Sequence, residues 1–324
     1  MEAQLRHCPD SGISVPAAAI IERVQPHRAG NLRGWLELVR PPNLFTVPGD
    51  ILAGAALAGV GTGKPVLLLR AVLASLLLYA SGLILNDYMD RHTDARERPE
   101  RPIPSGRVNA VHARAASLAL MGAALILGVL TGVTQCWVMA GVLSGLILLY
   151  NGPARRIPLA GFAVMGLCRG CNVLLGGSIM GGLASAPVLV GAGLETLYIA
   201  CVSLLAHGEV DRSPAPWQWS LPPAVVLAAS PILFLCLPAV PPTVIVPLMI
   251  LLGWLSTTLT NSGPYSGEPP KKIGSLIRSL ILLQILLVVF SLSQNPAWFN
   301  LSAIGVLVLM FTPAEWMGRR FHGS

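Results

Sequence analysis

Charge is what this sequence has least of. Only 11% of its 324 residues are Asp, Glu, Lys or Arg, against about 25% in soluble domains, while 53% are hydrophobic and the mean hydropathy is +0.66. So little ionic surface excludes a water-soluble globule and predicts an all-α integral membrane protein. A disulfide framework is missing as well. Cys8 stands near the amino terminus and Cys136, Cys168, Cys171, Cys201 and Cys236 fall in apolar runs; Cys168-x-x-Cys171 has no second pair to complete a metal site, so it reads as small-residue helix packing. No glycine-rich phosphate loop of the soluble type is present. The net charge of +7 does not signal nucleic acid, because the basic residues sit in short loops, where they set membrane orientation. Residues 1–30 have no long apolar core after a basic start; Ser14 to Ile21 is too short and is followed by charge. They read as a disordered cytoplasmic tail without a cleaved signal peptide, leaving 31–324 as one polytopic membrane domain.

What the chain does have is apolar length. Leu32, Trp35, Leu36 and Val39 recur at helical spacing between arginines, which predicts a short helix lying in the membrane interface. Ten stretches then follow that approach the ~20 residues a bilayer requires: about Asn43–Val60, Pro65–Asn86, Val111–Val133, Gln135–Asn151, Leu159–Met180, Pro187–Ala206, Leu221–Leu237, Thr243–Thr260, Ser275–Ser293 and Ala297–Pro313. Arginines and lysines gather in alternate loops, at Arg91 to Arg114, Arg155-Arg156, Arg212, Lys271-Lys272 and Arg319-Arg320, while Lys64 and Arg70 are nearly alone on the other side. That asymmetry predicts a multi-pass protein of the cell (inner) membrane, with both termini and the basic loops cytoplasmic.

One charged island interrupts the oil, from Leu85 to Arg107. If the second span continues as a helix through it, Asp87, Asp90 and Asp94 stand at i, i+3 and i+7 on one face. Carboxylates at the mouth of an apolar bundle, followed by Arg98 and Arg101, point to Mg²⁺ and a phosphorylated ligand. Mg²⁺ is commonly shared between one or two carboxylates and substrate phosphates, and arginine grips phosphate oxygens in bidentate fashion. Loops facing the cytoplasm also gather arginine for topological reasons alone.

Deeper in the sequence, Arg169, Asn172 and Gly176 share a helical face in mid-span. A cation there needs a partner or a wet cavity. Arg169 is either a site residue or half of a structural ion pair with Glu195, mid-way along the next span. The pairs Gly176-Gly177 and Gly181-Gly182 read as close helix contacts.

Asn86-Asp87-x-x-Asp90-x-x-x-Asp94, with Arg98-x-x-Arg101-Pro102 and Ser105-Gly106 behind it, resembles the first aspartate-rich signature of the UbiA superfamily of intramembrane prenyltransferases. Arg169-Gly170-Cys171-Asn172 and Gly208-Glu209-Val210 are similar to elements of its EboC-like branch. The resemblance implies a bundle of nine membrane helices, against ten counted here, and Mg²⁺-dependent transfer of an isoprenyl group from a polyprenyl diphosphate to a small, aromatic or lipid acceptor. It implies that Asp87, Asp90 and Asp94, with Glu209 and Asp211 opposite, hold the metal, and that Asn86 orients a carboxylate or a bound water. Arg98, Arg101, Lys271 and Lys272 would clamp phosphates. Tyr150 and Asn172 would border the acceptor, and Asn43, in an Arg-Pro-x-Asn entry, and Arg169 would join the substrate site. The family's second motif has carboxylates four apart, whereas Glu209 and Asp211 are two apart. A non-catalytic prenyl-lipid or diphosphate binding or transport component is therefore the alternative function.

Overall fold

The computed structural model describes residues 32–59, 64–211, 214–235, 242–260, 269–294 and 298–320. The tail read at 1–30 lies outside them. Thirteen α-helices are described. The first, α1 (Leu32–Val39), buries Gly34 and Leu38, with Trp35 and Val39 packed beside Leu38 against Ile84, Ile103 and Val108. Leu32 and Leu36 point outward, so the apolar stripe expected from spacing is rotated by about one residue.

The first apolar stretch is two helices rather than one span. A single turn, α2 (Pro41–Leu44), is followed by α3 (Val47–Leu57). Pro48 lies in the first turn of α3, where its missing N–H costs nothing, and that same proline cannot continue α2. At 11 residues, α3 is about 16 Å long, short of a ~30 Å hydrocarbon core. Every residue of it is buried.

The next helix, α4 (Pro65–Glu97), has 33 residues and is about 50 Å long. It is longer than a crossing requires, and its last three turns carry the whole acidic motif. After α5 (Ala110–Leu130), capped by Asn109 Oδ1 accepting from Val111 N, come α6 (Thr134–Asn151), α7 (Pro158–Ile179) and α8 (Ala186–Asp211). The remainder is α9 (Leu221–Leu235), α10 (Pro242–Leu259), α11 (Pro269–Arg278), α12 (Leu280–Gln294) and α13 (Trp298–Arg320). The stretch expected at Ser275–Ser293 breaks between α11 and α12 at Ser279, whose hydroxyl donates to the Leu276 carbonyl at 2.6 Å and so competes with the helix ladder.

Each of the ten apolar stretches thus contains helix, and among the described residues eight helical passages are long and apolar enough to cross a membrane. The other two stretches hold α3 and α9. This is a multi-pass, all-helical membrane bundle.

One apolar core joins α4, α5 and α6 and takes in Cys171, which is buried there as packing; the largest joins α3, α8 and α9 with α10 to α13. Where the two meet, α3 and α7 are pressed together through glycine. A Cβ on Gly54 would overlap the Val173 carbonyl, and one on Gly176 would overlap the Ile51 carbonyl. Gly166 and Gly170 meet Thr196 and Ala192 of α8 in the same way, so these glycines serve close helix approach, whereas Gly181, expected to do the same, lies beyond α7 at φ 77° with no atom within 4 Å of a Cβ.

Candidate functional site

The acidic motif builds a rim of paired charges at the end of α4. Because α4 stays helical to Glu97, Asp87, Asp90 and Asp94 share one face, and each meets an arginine delivered by a different turn. Arg40, between α1 and α2, donates to Asp87 Oδ1 at 3.1 Å. Arg101 Nη1, in the loop after α4, lies 3.0 Å from Asp94 Oδ2 and 3.9 Å from Asp87 Oδ1. Arg155, in the turn between α6 and α7, lies 2.6 Å from Asp90 Oδ1. Asp87, Asp94 and Arg101 are buried.

The loop 98–109 shows why Ser105 and Gly106 accompany the arginines. Ser105 Oγ donates to the Arg101 carbonyl at 2.7 Å, and its N–H to the same oxygen at 3.0 Å. Gly106 then reverses the chain at φ 74°, where glycine carries no Cβ penalty. Arg107 closes on Glu37 of α1 at 2.7 Å. These contacts fold the loop back so that Arg101 points at α4.

Among the other residues singled out in sequence, Asn86 lies against the Asp87 carboxyl, and Tyr150 stands among Asp90, Arg40 and Arg155. Arg98 caps α4 through its backbone, its N–H donating to the Asp94 carbonyl at 2.8 Å. Asn43 is in α2, its N–H donating to the Arg40 carbonyl at 3.0 Å. Lys271 and Lys272 begin α11, which touches α2; the Lys272 ammonium lies 5.2 Å from the Trp219 ring centroid. The side chains of Glu209 and Asp211, at the end of α8, lie outside the described residues.

Arg169 and Asn172 belong to a second, inner cluster. Arg169 does not pair with Glu195. It donates to Asp50 Oδ1 at 2.9 Å and to the Thr46 carbonyl and hydroxyl at 3.1 Å each. Gln284 of α12 donates to the same Asp50 oxygen at 2.6 Å and to the Thr46 carbonyl at 2.8 Å. Asn172 Oδ1 accepts from Ser75 at 2.7 Å. Glu195 is fully buried with its carboxyl against that of Asp50, and no nitrogen or hydroxyl donor reaches it. The pairing with Glu195 fails because α3, which helix counting treats as one span among ten, is wedged at the seam and brings Asp50 to α7 first. Tyr79 of α4 lies between rim and cluster: its ring centroid is 5.8 Å from the Arg169 guanidinium, and Arg40 acts on it from the other side.

Sequence reasoning missed Arg40, Arg155, Asp50 and Gln284. Asp50 did leave a signal, as the single acidic residue between Glu37 and Asp87.

Magnesium can be tested against this donor set. No group of three His, Cys, Asp or Glu side chains among the described residues is gathered so as to hold an ion by itself. Yet one cationic nitrogen of Arg101 is shared by Asp87 and Asp94, so the two carboxylates converge on one positive group. Hard oxygen donors of that number fit Mg²⁺, which draws its remaining ligands from water and phosphate.

The model of the UbiA prenyltransferase family matches residues 50–263, a span that takes in the acidic face of α4 and the loop behind it. The chain belongs to the UbiA prenyltransferase family. Relatives include digeranylgeranylglyceryl phosphate synthases from Natronomonas pharaonis, 35% identical over 161 residues that cover 50% of this chain and 57% of the relative, and from Methanothrix thermoacetophila, 34% identical over 168 residues that cover 50% and 58%. The chain therefore spans little more than half the length of these relatives. Among solved structures, a UbiA homolog from Archaeoglobus fulgidus bound to DMAPP and Mg²⁺ superposes with a TM-score of 0.60 at 14% identity, over 84% of this chain and 99% of the other. A structure described as digeranylgeranylglyceryl phosphate synthase gives 0.56 at 18%, over 85% and 99%. At those identities they show a shared UbiA fold.

Proposed function

We propose that this UbiA family member is a Mg²⁺-dependent intramembrane prenyltransferase that moves an isoprenyl group from a polyprenyl diphosphate to a small, aromatic or lipid acceptor. One observation carries the reading: the acids of α4 are matched by arginines from three separate turns at the end of a membrane-crossing helix. Such a lattice is balanced without ligand and can exchange partners when one enters. The names of the relatives, and the DMAPP, GPP and Mg²⁺ of the solved homologues, support the same substrate class.

In this reading Asp87 and Asp94, with Asp90 beside them, would hold the metal, and Asn86 would fix the Asp87 carboxyl. Mg²⁺ bound there neutralises charge developing on the diphosphate as a Lewis acid. Arg101, released from the carboxylates, turns to phosphate oxygens beside Arg98, with Lys271 and Lys272 approaching from α11. Glu209 and Asp211, at the end of α8, are the further candidate ligands, and Tyr150 borders the acceptor. The allylic C–O bond breaks with its electron pair leaving on pyrophosphate. C1 bonds to the acceptor, and the acceptor loses a proton. The apolar bundle keeps water from the carbocation. In this reading the rim faces the cytoplasm, which the gathering of Lys and Arg in alternate loops supports.

Mg²⁺-dependent release of pyrophosphate from farnesyl or geranylgeranyl diphosphate by the purified protein tests this. Asp87→Asn and Asp90→Asn should abolish release. The two-residue spacing of Glu209 and Asp211 favours one other reading, a diphosphate or prenyl-lipid binding or transport component. Tight diphosphate binding with no release, across several acceptors, would establish that reading instead.

A further inference from the structure

An unbroken chain of hydrogen bonds joins the inner cluster to the rim. At the rim end, Arg40 is the one non-glycine residue with positive φ, 46°, among the described residues. A residue bearing a Cβ keeps that conformation only where its surroundings over-determine it. Its carbonyl accepts the Asn43 N–H at 3.0 Å. The Asn43 carbonyl accepts the Thr46 N–H at 3.1 Å and hydroxyl at 2.7 Å. The Thr46 carbonyl accepts Arg169 Nη2 at 3.1 Å and Gln284 Nε2 at 2.8 Å, and both of these donors also reach Asp50 Oδ1.

Thr46, Asp50 and Gln284 are wholly inaccessible, so no solvent competes for these bonds. The donors are carried by α7 and α12, long helices packed on either side of α3. Gln284 is further confined by Gly49, where a Cβ would overlap its side-chain oxygen. Arg169 is thus turned toward the backbone of the α2–α3 turn and not toward the acids of α4.

We propose that Asp50, Arg169 and Gln284 are positioning residues, a buried strut that fixes the Arg40–Thr46 turn and so aims the Arg40 guanidinium at Asp87, and that Arg169 does not itself touch the diphosphate. The proposal rests on the reading of Asp87 as part of the diphosphate site, and its test separates the two. Amide exchange at Asn43 and Thr46 in the purified full chain needs no ligand. Gln284→Leu, which keeps the Arg169–Asp50 pair, should speed that exchange about tenfold, equivalent to losing one buried hydrogen bond. Unchanged exchange overturns the strut.

The second measurement is calorimetric affinity for inorganic pyrophosphate with Mg²⁺, across wild type, Gln284→Leu, Arg40→Gln and the double variant. Gln284→Leu should weaken binding on the order of five- to tenfold, and the double should bind no worse than Arg40→Gln alone, since residues acting through one another are non-additive. The same cycle with Arg169→Lys should behave alike. Additive losses in either cycle, or full affinity in Gln284→Leu, overturn the proposal. Faster exchange in a protein whose wild type binds no pyrophosphate overturns the proposed function and supports the strut.

Discussion

At the rim, aspartates on one helix meet arginines that arrive on turns; at the inner cluster, an aspartate meets an arginine and a glutamine that arrive on helices. The rim pair Asp90–Arg155 keeps side-chain exposures of 31% and 29%, whereas Asp50 and Arg169 keep 0% and 6%. Water and entering anions can compete at that outer pair and at Arg40, whose side chain is 26% exposed, but not at Asp50–Arg169; Asp94 and Arg101, 8% exposed each, are the enclosed part of the rim. On the proposed reading, the same ion-pair chemistry gives an exchangeable lattice in one region and a fixed strut in the other. Function belongs where partners can change, and rigidity where they cannot.

Breaking one pair in each region tests the contrast most strongly. Arg169→Leu leaves Asp50 buried without its cation and should cost about 3–5 kcal/mol of stability, as removal of one partner from a buried pair does. Unfolding in detergent or nanodiscs reads this directly. A loss below 1 kcal/mol would put Arg169 with the rim. Ligand linkage comes next in size. Mg²⁺ with pyrophosphate at one hundred times its dissociation constant should stabilise the wild type by about 2.7 kcal/mol. Asp87→Asn should lose that gain, while Glu195→Gln, away from the rim, keeps it.

Packing at the seam gives the third effect. Gly176→Ala would push a methyl group into the Ile51 backbone and should cost about 1–3 kcal/mol, measured in the same unfolding experiment. The smallest effect is at the rim itself. Arg155→Gln, which removes a pair about one-third exposed, should change stability by no more than ~1 kcal/mol. It should still weaken Mg²⁺-pyrophosphate binding if the arginine exchanges partners. A large stability loss there, with unaltered binding, would make that pair a strut too.

Much of this was legible in the sequence. Apolar length marks the helices because lipid leaves the backbone no other solution, and the spacing of Asp87, Asp90 and Asp94 fixes a shared face as soon as α4 is known to continue. Two things were hidden for the same reason. Proline at positions 41, 42 and 48 divides the first stretch into α2 and α3, yet hydropathy averages across the break. The partner of Arg169 depends on which helix reaches it first, and sequence neighbours suggested Glu195 of α8, whereas glycines 54 and 176 draw α3 in closer. Arg40 and Arg155 looked like topological charges in loops. Only the folding of those loops onto α4 shows that they are paired.

The most direct test of the rim is a structure of the chain with Mg²⁺ and a non-hydrolysable geranylgeranyl diphosphate analogue. The account predicts a metal between Asp87 and Asp94, with Arg40 and Arg101 turned from carboxylate to phosphate and the Asp50–Arg169–Gln284 cluster unmoved. An analogue seated elsewhere, with the aspartates still locked to their arginines, would contradict it.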